Sequence, residues 1–505
     1  MHSRMFRALS AAGAVGASLA FAGPALASSS APTLYVNGAM GNNTNPSGSD
    51  NTCRLSSNPC ATIGHAIADA PTTAKISVAK GTYPEQLTIA NKNLTITGAG
   101  EGSTIIEPAS PLATTTNDPT HPGTDQADIV TFSGAKSGGL SKLTVDGSQA
   151  TETDGSTNYV GVFMLDSAGK LSSVAIQNVQ HDSTTFGDQA GANGGVLVAN
   201  NDQAARTVTM TDLTVSGYDK NGITCRSIGT TCNITSANVT GSGAIDDNAQ
   251  NGIELYGITA ATVKGSTVQD NTYTSPNYPS SYSNASGVLA INVGKLTLSG
   301  NTLESNDENI AAIEDQTDFT AGPAQGAWSI TGNTVTDATN DTGTDMGSTP
   351  VPLGDGVGDG IDLEGATGAT VYSNKVTNNQ DWGIALFGEV NSKIGADGKT
   401  NTVTGNVDDG IYLGEYAPGQ PSTGNAIDYN RSNSNGDDGI LAAGEDSSGD
   451  QQATGNTFAH NVLQTDAHFD AEDLSTGTKT AGTANTWTND KCAPSHDANP
   501  GAICS

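Results

Sequence analysis

Residues 359–413 read DGIDLEGATGATVYSNKVTNNQDWGIALFGEVNSKIGADGKTNTVTGNVDDGIYL. Within this stretch the step Asp359-Gly360-Ile361 returns as Trp382-Gly383-Ile384 and as Asp409-Gly410-Ile411, and it returns once more as Asp438-Gly439-Ile440. The glycines from Gly360 onward are 23, 27 and 29 residues apart. Upstream, Asn221-Gly222-Ile223 and Asn251-Gly252-Ile253 repeat the step at a spacing of 30. A period in the twenties that carries strands instead of helices predicts a parallel β-solenoid.

The second half of each coil is as regular. Ala261-Thr262-Val263 leads to Ser266-Thr267-Val268, Leu296-Thr297-Leu298 to Asn301-Thr302-Leu303, Trp328-Ser329-Ile330 to Asn333-Thr334-Val335, and Ala369-Thr370-Val371 to Asn374-Lys375-Val376. The alternation is period two, so one face points into a cylinder and the other outward. No coil buries its apolar face alone; stacking neighbours makes the core, and the repeated Asn positions are expected to form ladders. Corner glycines are expected to supply positive φ, and Asn or Asp to bond the local backbone.

The ends need covers. Ile63, Ile67 and Ala70 share one face of a helix ending before Pro71, expected to plug the first coil. At the far end, Asn485-Thr486-Trp487 and a loop from Cys492 to Cys504 form the opposite cap. The expected organisation is a signal peptide over 1–27, an N-terminal cap over 28–75, an all-β right-handed parallel β-helix over 76–484 and a C-terminal cap over 485–505. The signal rests on Arg4 and Arg7, an apolar run from Ala11 to Ala22, and Ala25-Leu26-Ala27 as a small-residue cleavage site. That run is too short to span a bilayer and no second one follows, so a secreted chain without a transmembrane segment is expected.

The formal charge of −32 becomes −34 once Arg4 and Arg7 are set aside. Such a surface cannot neutralise a run of phosphates, which argues against a nucleic-acid partner. The six cysteines fall into local pairs, Cys53 with Cys60, Cys225 with Cys232, and Cys492 with Cys504. Disulfides fit an exported chain, although six cysteines allow 15 connectivities.

From Thr33 to Gly100, Leu34-Tyr35-Val36, Pro59-Cys60-Ala61-Thr62-Ile63, Ile76-Ser77-Val78, Gly81-Thr82-Tyr83 with Glu85, and Leu94-Thr95-Ile96-Thr97-Gly98 resemble the opening of the pectin-lyase-like superfamily of parallel β-helix proteins. The resemblance implies a secreted protein that acts on or holds polysaccharide. Its enzymes' motifs do not carry over. Asp408-Asp409-Gly410 and Asp437-Asp438-Gly439 are present, but the Gly-His-Gly step of polygalacturonase-like members is not. None of the six arginines, at 4, 7, 54, 206, 226 and 431, has a lyase context, and the Tyr-Gly-x-Asp-Pro-His step of mannuronan-epimerase-like members is missing.

Candidate sites follow from the outward strand positions. Asp362 and Glu364 lie two residues apart on one strand, an expected catalytic pair of carboxylates. Glu254, Tyr256, Phe387, Glu389, Tyr412 and Glu415 on neighbouring coils are the expected sugar-binding groups, since rings stack on the apolar faces of sugars. The alternative for all of them is a solvated strand face. Asp408, Asp409, Asp437 and Asp438 are expected to serve turn chemistry. The sequence fixes no cofactor, but Asp355, Asp359 and Asp362 could hold calcium through oxygen ligands. His65, His121, His181, His460, His468 and His496 share no metal-ligand spacing, and Arg226 is expected to offset local acids. Two excursions, Tyr273 to Ser286 with Tyr278 and Tyr282, and Asn340 to Gly358, either wall a groove or are tolerated insertions.

Function stays divided at this level. One reading is a polysaccharide hydrolase or lyase; the other is a non-catalytic surface or matrix protein that binds glycan or acts as a spacer. Facing carboxylates about 5 to 10 Å apart in a walled groove would favour hydrolysis.

Overall fold

A computed structural model describes residues 30–114, 116–117, 125–150, 157–180, 194–245, 249–273, 285–315, 322–339, 358–445, 449–493 and 498–504. The leader over 1–27, His121, His181, His496, Asp355, Tyr278, Tyr282 and most of both excursions lie outside the described residues.

Short strands stack coil on coil, and among the described strands every pairing is parallel except that of Thr116–Asn117 with Asp125–Ser133. The repeated isoleucine forms one column, in which Ile223, Ile253, Val288, Ile310, Ile361, Ile384, Ile411 and Ile440 sit side by side. Every member is buried. Two residues further on, Leu255, Ala290, Ala312, Leu363, Leu386 and Leu413 form a second inward column. The opposite wall stacks Ile234, Val263, Leu298, Ile330, Val371, Ile394, Ile427, Phe458 and Trp487. Small branched side chains thus fill a narrow cylinder, and the backbone is bonded between coils.

The expected Asn ladders are present at three corners. Asn301, Asn333, Asn374, Asn401, Asn430 and Asn461 each donate through Nδ2 to Oδ1 of the next, ending on Asp490. Asn379, Asn406 and Asn435 make a second ladder, and Asn425, Asn456 and Asn485 a third. Each rung keeps a buried polar side chain bonded inside a wall that would otherwise strand it.

The expected positive φ is found at the corner glycines Gly265, Gly300 and Gly332, and one other set of glycines differs. The glycines of the Gly-Ile steps do not adopt positive φ, unlike Gly300, Gly332, Gly405 and Gly424 at other corners. They are required by close approach: a Cβ on Gly360 would lie 2.6 Å from the carbonyl oxygen of Gly383 and 2.6 Å from a methyl of Val376.

The cap helix spans Ile63–Asp69 and buries Ile63, Ala66 and Ile67, with Thr62 as its N-cap. Glu85, from the Gly-Thr-Tyr-x-Glu step, accepts from the N–H groups of Ile63 and Gly64, a carboxylate at the end of the helix where free N–H groups collect. Disulfides join Cys53 to Cys60, Cys225 to Cys232 and Cys492 to Cys504. The strand Thr486–Thr488 still pairs in parallel with Thr457–Ala459, and Trp487 stacks on Phe458 with ring centroids 3.9 Å apart before the last loop begins.

Candidate functional site

The outward face of the isoleucine strands carries three columns. One is the residue before each Gly-Ile step, the next the residue after the isoleucine, the third lies two further on. Register therefore puts Glu308, Asp359, Trp382, Asp409 and Asp438 in the first column, and Ala311, Asp362, Ala385 and Tyr412 in the second. Glu364 and Phe387 are neighbours in the third. Over this face two chemistries meet at the boundary between the Asp362 and Ala385 coils.

On one side is a cluster of rings. Trp382 and Tyr412 stack with centroids 4.3 Å apart and an interplanar angle of 11°, and Phe387 tilts against both at 5.4 and 5.5 Å. The trio covers Ala385, whose small side chain leaves room for it. Burial, then the nearby Asp409, pushes the Tyr412 phenol up to about 12. On the other side is a cluster of acids. One carboxylate oxygen from each of Glu308, Asp359 and Asp362 lies within 4.8 Å of the other two. Burial, and then neighbouring carboxylates, holds Asp359 and Asp362 well above the usual carboxylate range, and burial raises Glu364.

Asp362 and Glu364 both point outward, as alternation requires, but they are not solvated and separate. Asp362 is buried, and its carboxyl is hydrogen-bonded to that of Glu364. Two carboxyl groups in such contact are closer than the roughly 5 to 10 Å at which glycosidase pairs flank a bond.

Beside Glu364 the face opens into a cleft of about 380 Å³. Gly365 and Gly388 form part of its lining, Glu314 and Asp315 line it as well, and Tyr416 reaches across to donate its hydroxyl to Asp315 at 2.7 Å.

The other expected binding groups divide. Phe387 and Tyr412 belong to the ring trio. Glu415 is half-buried in the turn that carries Tyr416, where it accepts from the Gly419 N–H. Glu254 and Tyr256 lie on the same face but three coils earlier, about 14 Å away at the usual strand spacing. There Glu254 is buried and ion-paired with Arg226 at 2.7 Å, and the guanidinium lies 6.0 Å from the Tyr256 ring. Glu389 is corrected: it is fully buried in a corner, accepting from the Ala366 N–H and the Ser392 hydroxyl, and burial pushes it up to about 7. Gly388 ends the strand alternation, so the next side chain turns inside.

The acids before the corner glycines bond backbone as expected, but to the next coil: Asp359 accepts from Trp382 N–H, Asp409 from Asp438 N–H and Asp438 from Phe469 N–H. Trp382 and Glu308 were missed as site residues. Trp382 fills an Asx position in the repeat, and Glu308-Asn309-Ile310 carries Asn where the repeat has Gly, so a search for Gly-Ile skips that coil.

The family model described as "Right handed beta helix region" matches residues 194–394, and that of "Periplasmic copper-binding protein (NosD)" matches 352–491. No curated protein sequence matches the chain. Solved structures similar to it include the A-module of a mannuronan C-5 epimerase of Azotobacter vinelandii, at 11% identity over 85% of this chain and 92% of that one, with a TM-score of 0.40. A periplasmic alginate epimerase is 11% identical over 78% of each chain at a TM-score of 0.41, and an Acinetobacter phage tailspike 10% over 84% of this chain and 57% of that one at 0.39. The chain is a right-handed parallel β-helix.

Proposed function

We propose that this chain is an exported polysaccharide-binding β-helix that holds glycan along its outward strand face. The observation that carries the reading is the ring trio Trp382, Phe387 and Tyr412 set beside the half-buried Glu364 and the cleft at Gly365 and Gly388. The half-buried rings of Phe387 and Tyr412, backed by the buried Trp382, supply a platform for the apolar face of a pyranose, while Glu364 and the cleft acids accept from its hydroxyls. Export is supported by the leader pattern over 1–27 and by three disulfides, which persist in oxidising compartments. Among the described residues no helix is long and apolar enough to cross a membrane.

Binding is favoured over bond cleavage on two grounds. The Asp362 and Glu364 carboxyls touch, which leaves no room between them for a glycosidic oxygen and a water. Among the described residues, the strands of this face from Ser286–Ile291 to Glu472–Asp473 carry no Lys or Arg to take the proton in a β-elimination. Residues 352–491 hold neither Cys nor Met for a soft copper ion, and their two histidines are His460 and His468, of which His468 faces Asp437 and Asp438.

Affinity electrophoresis of the chain in gels containing neutral, uronate-containing or amino-sugar polysaccharides tests the reading, with product release assayed in parallel. At least one polymer should retard the wild type, and Tyr412→Ala and Phe387→Ala should migrate freely in it. Retardation by none of them, or equal retardation of wild type and both variants, refutes the reading; release of sugar products would replace binding with catalysis.

A further inference from the structure

We propose that Glu308, Asp359 and Asp362 form a binding site for a calcium-sized divalent cation that ties two consecutive coils together. The site goes beyond the glycan-binding reading and does not rest on it. Glu308 begins the strand Glu308–Ile313, and the pairing of Ile310 with Ile361 sets it directly against Asp359 on the next coil. Asp362, three residues on, joins them from the same outward face. Their relative exposures are 5%, 0% and 3%, so all three carboxylates are enclosed.

Glu308 accepts from the Ser286 hydroxyl at 3.4 Å, but hydrogen bonding leaves one oxygen of each aspartate unserved. Oδ1 of Asp359 accepts from the Trp382 N–H at 3.1 Å, which fixes the side chain, yet its Oδ2 is buried and accepts nothing. Oδ1 of Asp362 is likewise buried and accepts nothing, and the group lying against that carboxyl is another acid, Glu364. Buried carboxylates without donors are costly unless a countercharge is present. The described strands of this face supply no Lys or Arg to these coils.

The dimensions suit one class of ion. The three oxygens lie within 4.8 Å of one another, the span of ligands placed about 2.4 Å from a common centre. Calcium accepts carboxylate oxygens at that range in irregular arrangements; magnesium wants about 2.1 Å and near-ideal octahedra, and softer metals want nitrogen or sulfur. Of the acids expected from sequence to hold calcium, Asp359 and Asp362 are here, and Glu308, from the preceding coil, is the third.

Trp382 makes the proposal measurable. Its backbone N–H is bonded to Asp359 and its side chain follows Asp359 in the same outward column one coil on, so its indole is placed to sensitise a lanthanide bound there. Full-length chain stripped with chelator is titrated with terbium, exciting tryptophan, and its melting temperature is read with calcium or magnesium. The expected result is saturable terbium emission displaced by calcium in preference to magnesium, with an upward shift of Tm in calcium. Glu308→Gln and Asp359→Asn should weaken terbium binding by about tenfold or more, as loss of a charged ligand does, and should lose the calcium-dependent part of the Tm shift whatever their Tm without metal. Trp382→Phe should dim the emission and keep the Tm shift, and Glu304→Gln on another wall should match the wild type. Absence of both saturable emission and a calcium-dependent shift, or equal responses from wild type, Glu308→Gln and Asp359→Asn, overturns the site.

Discussion

Asn461 donates from both its backbone N–H, at 2.9 Å, and its Nδ2, at 2.8 Å, to Oδ1 of Asp490 on the next coil. The relation explains why two ladders end in an acid. Each inner rung must accept from the rung before and donate onward, which takes an amide. The last rung only accepts, and a carboxylate does that with both oxygens. Asn435 repeats the arrangement, donating by the same two groups to Asp466.

A mid-ladder rung should therefore be costly to remove. Asn430 donates through Nδ2 to Ile394 O and Asn461 Oδ1 and accepts from Asn401 Nδ2, all buried. Asn430→Ala strands those partners and should lower stability by about 2–4 kcal/mol. Asn430→Asp, which cannot donate, should do at least as much at neutral pH. Urea unfolding followed by circular dichroism measures both; a loss below about 0.5 kcal/mol would show that the ladder is decoration.

The terminal acids link stability to pH. Burial pushes Asp466 up to about 7 and Asp490 up to about 6. A carboxyl whose folded value is raised binds its proton better in the native state. Its contribution is fully present below the unfolded value near 4 and is lost as pH rises through the folded value. For Asp466 that loss is on the order of 2–4 kcal/mol between about pH 4 and 7. Oδ2 of Asp466 accepts no hydrogen bond and Asn435 uses Oδ1, so Asp466→Asn removes the titration and takes the acceptor from no existing donor. Urea midpoints of this variant should fall less steeply with pH over that interval than those of wild type. Parallel curves would contradict the assignment.

Glu389 should prove structural. It holds the Ala366 N–H and the Ser392 hydroxyl at a buried corner. Glu389→Ala should cost about 1–3 kcal/mol by stranding them. Glu389→Gln should keep the fold and leave retardation by any polysaccharide unchanged. Selective loss of retardation in a folded Glu389→Gln chain would return this residue to the binding face.

The Cys225–Cys232 bridge spans 7 residues and lies wholly inside the cylinder, both sulfurs buried. Closing so short a loop is worth about 2–3 kcal/mol on the chain-entropy account. The double variant Cys225→Ala with Cys232→Ala should lower Tm in a calorimeter, and non-reducing peptide maps of the wild type should show only the three local pairs. Any cross-pairing, such as Cys60 with Cys225, would contradict the structure.

Much of this protein is determined by the sequence alone. The Gly-Ile step at its irregular twenties spacing, the period-two strands and the recurring Asn define stacked coils, because each is a local pattern repeated through the chain. Local disulfides and the cap helix are legible for the same reason. What tertiary structure alone decided is which outward residues meet. Glu308 and Asp359 are 51 residues apart in the chain and adjacent in the solenoid, because intervening chain of any length can leave one coil and rejoin at the next without disturbing the strand register. Alternation correctly sends Asp362 and Glu364 outward, yet it cannot say that they touch each other or that Trp382 closes over the same face. It fails at Glu389, since beyond Gly388 the chain turns a corner and side-chain direction is set by the turn and no longer by the pleat.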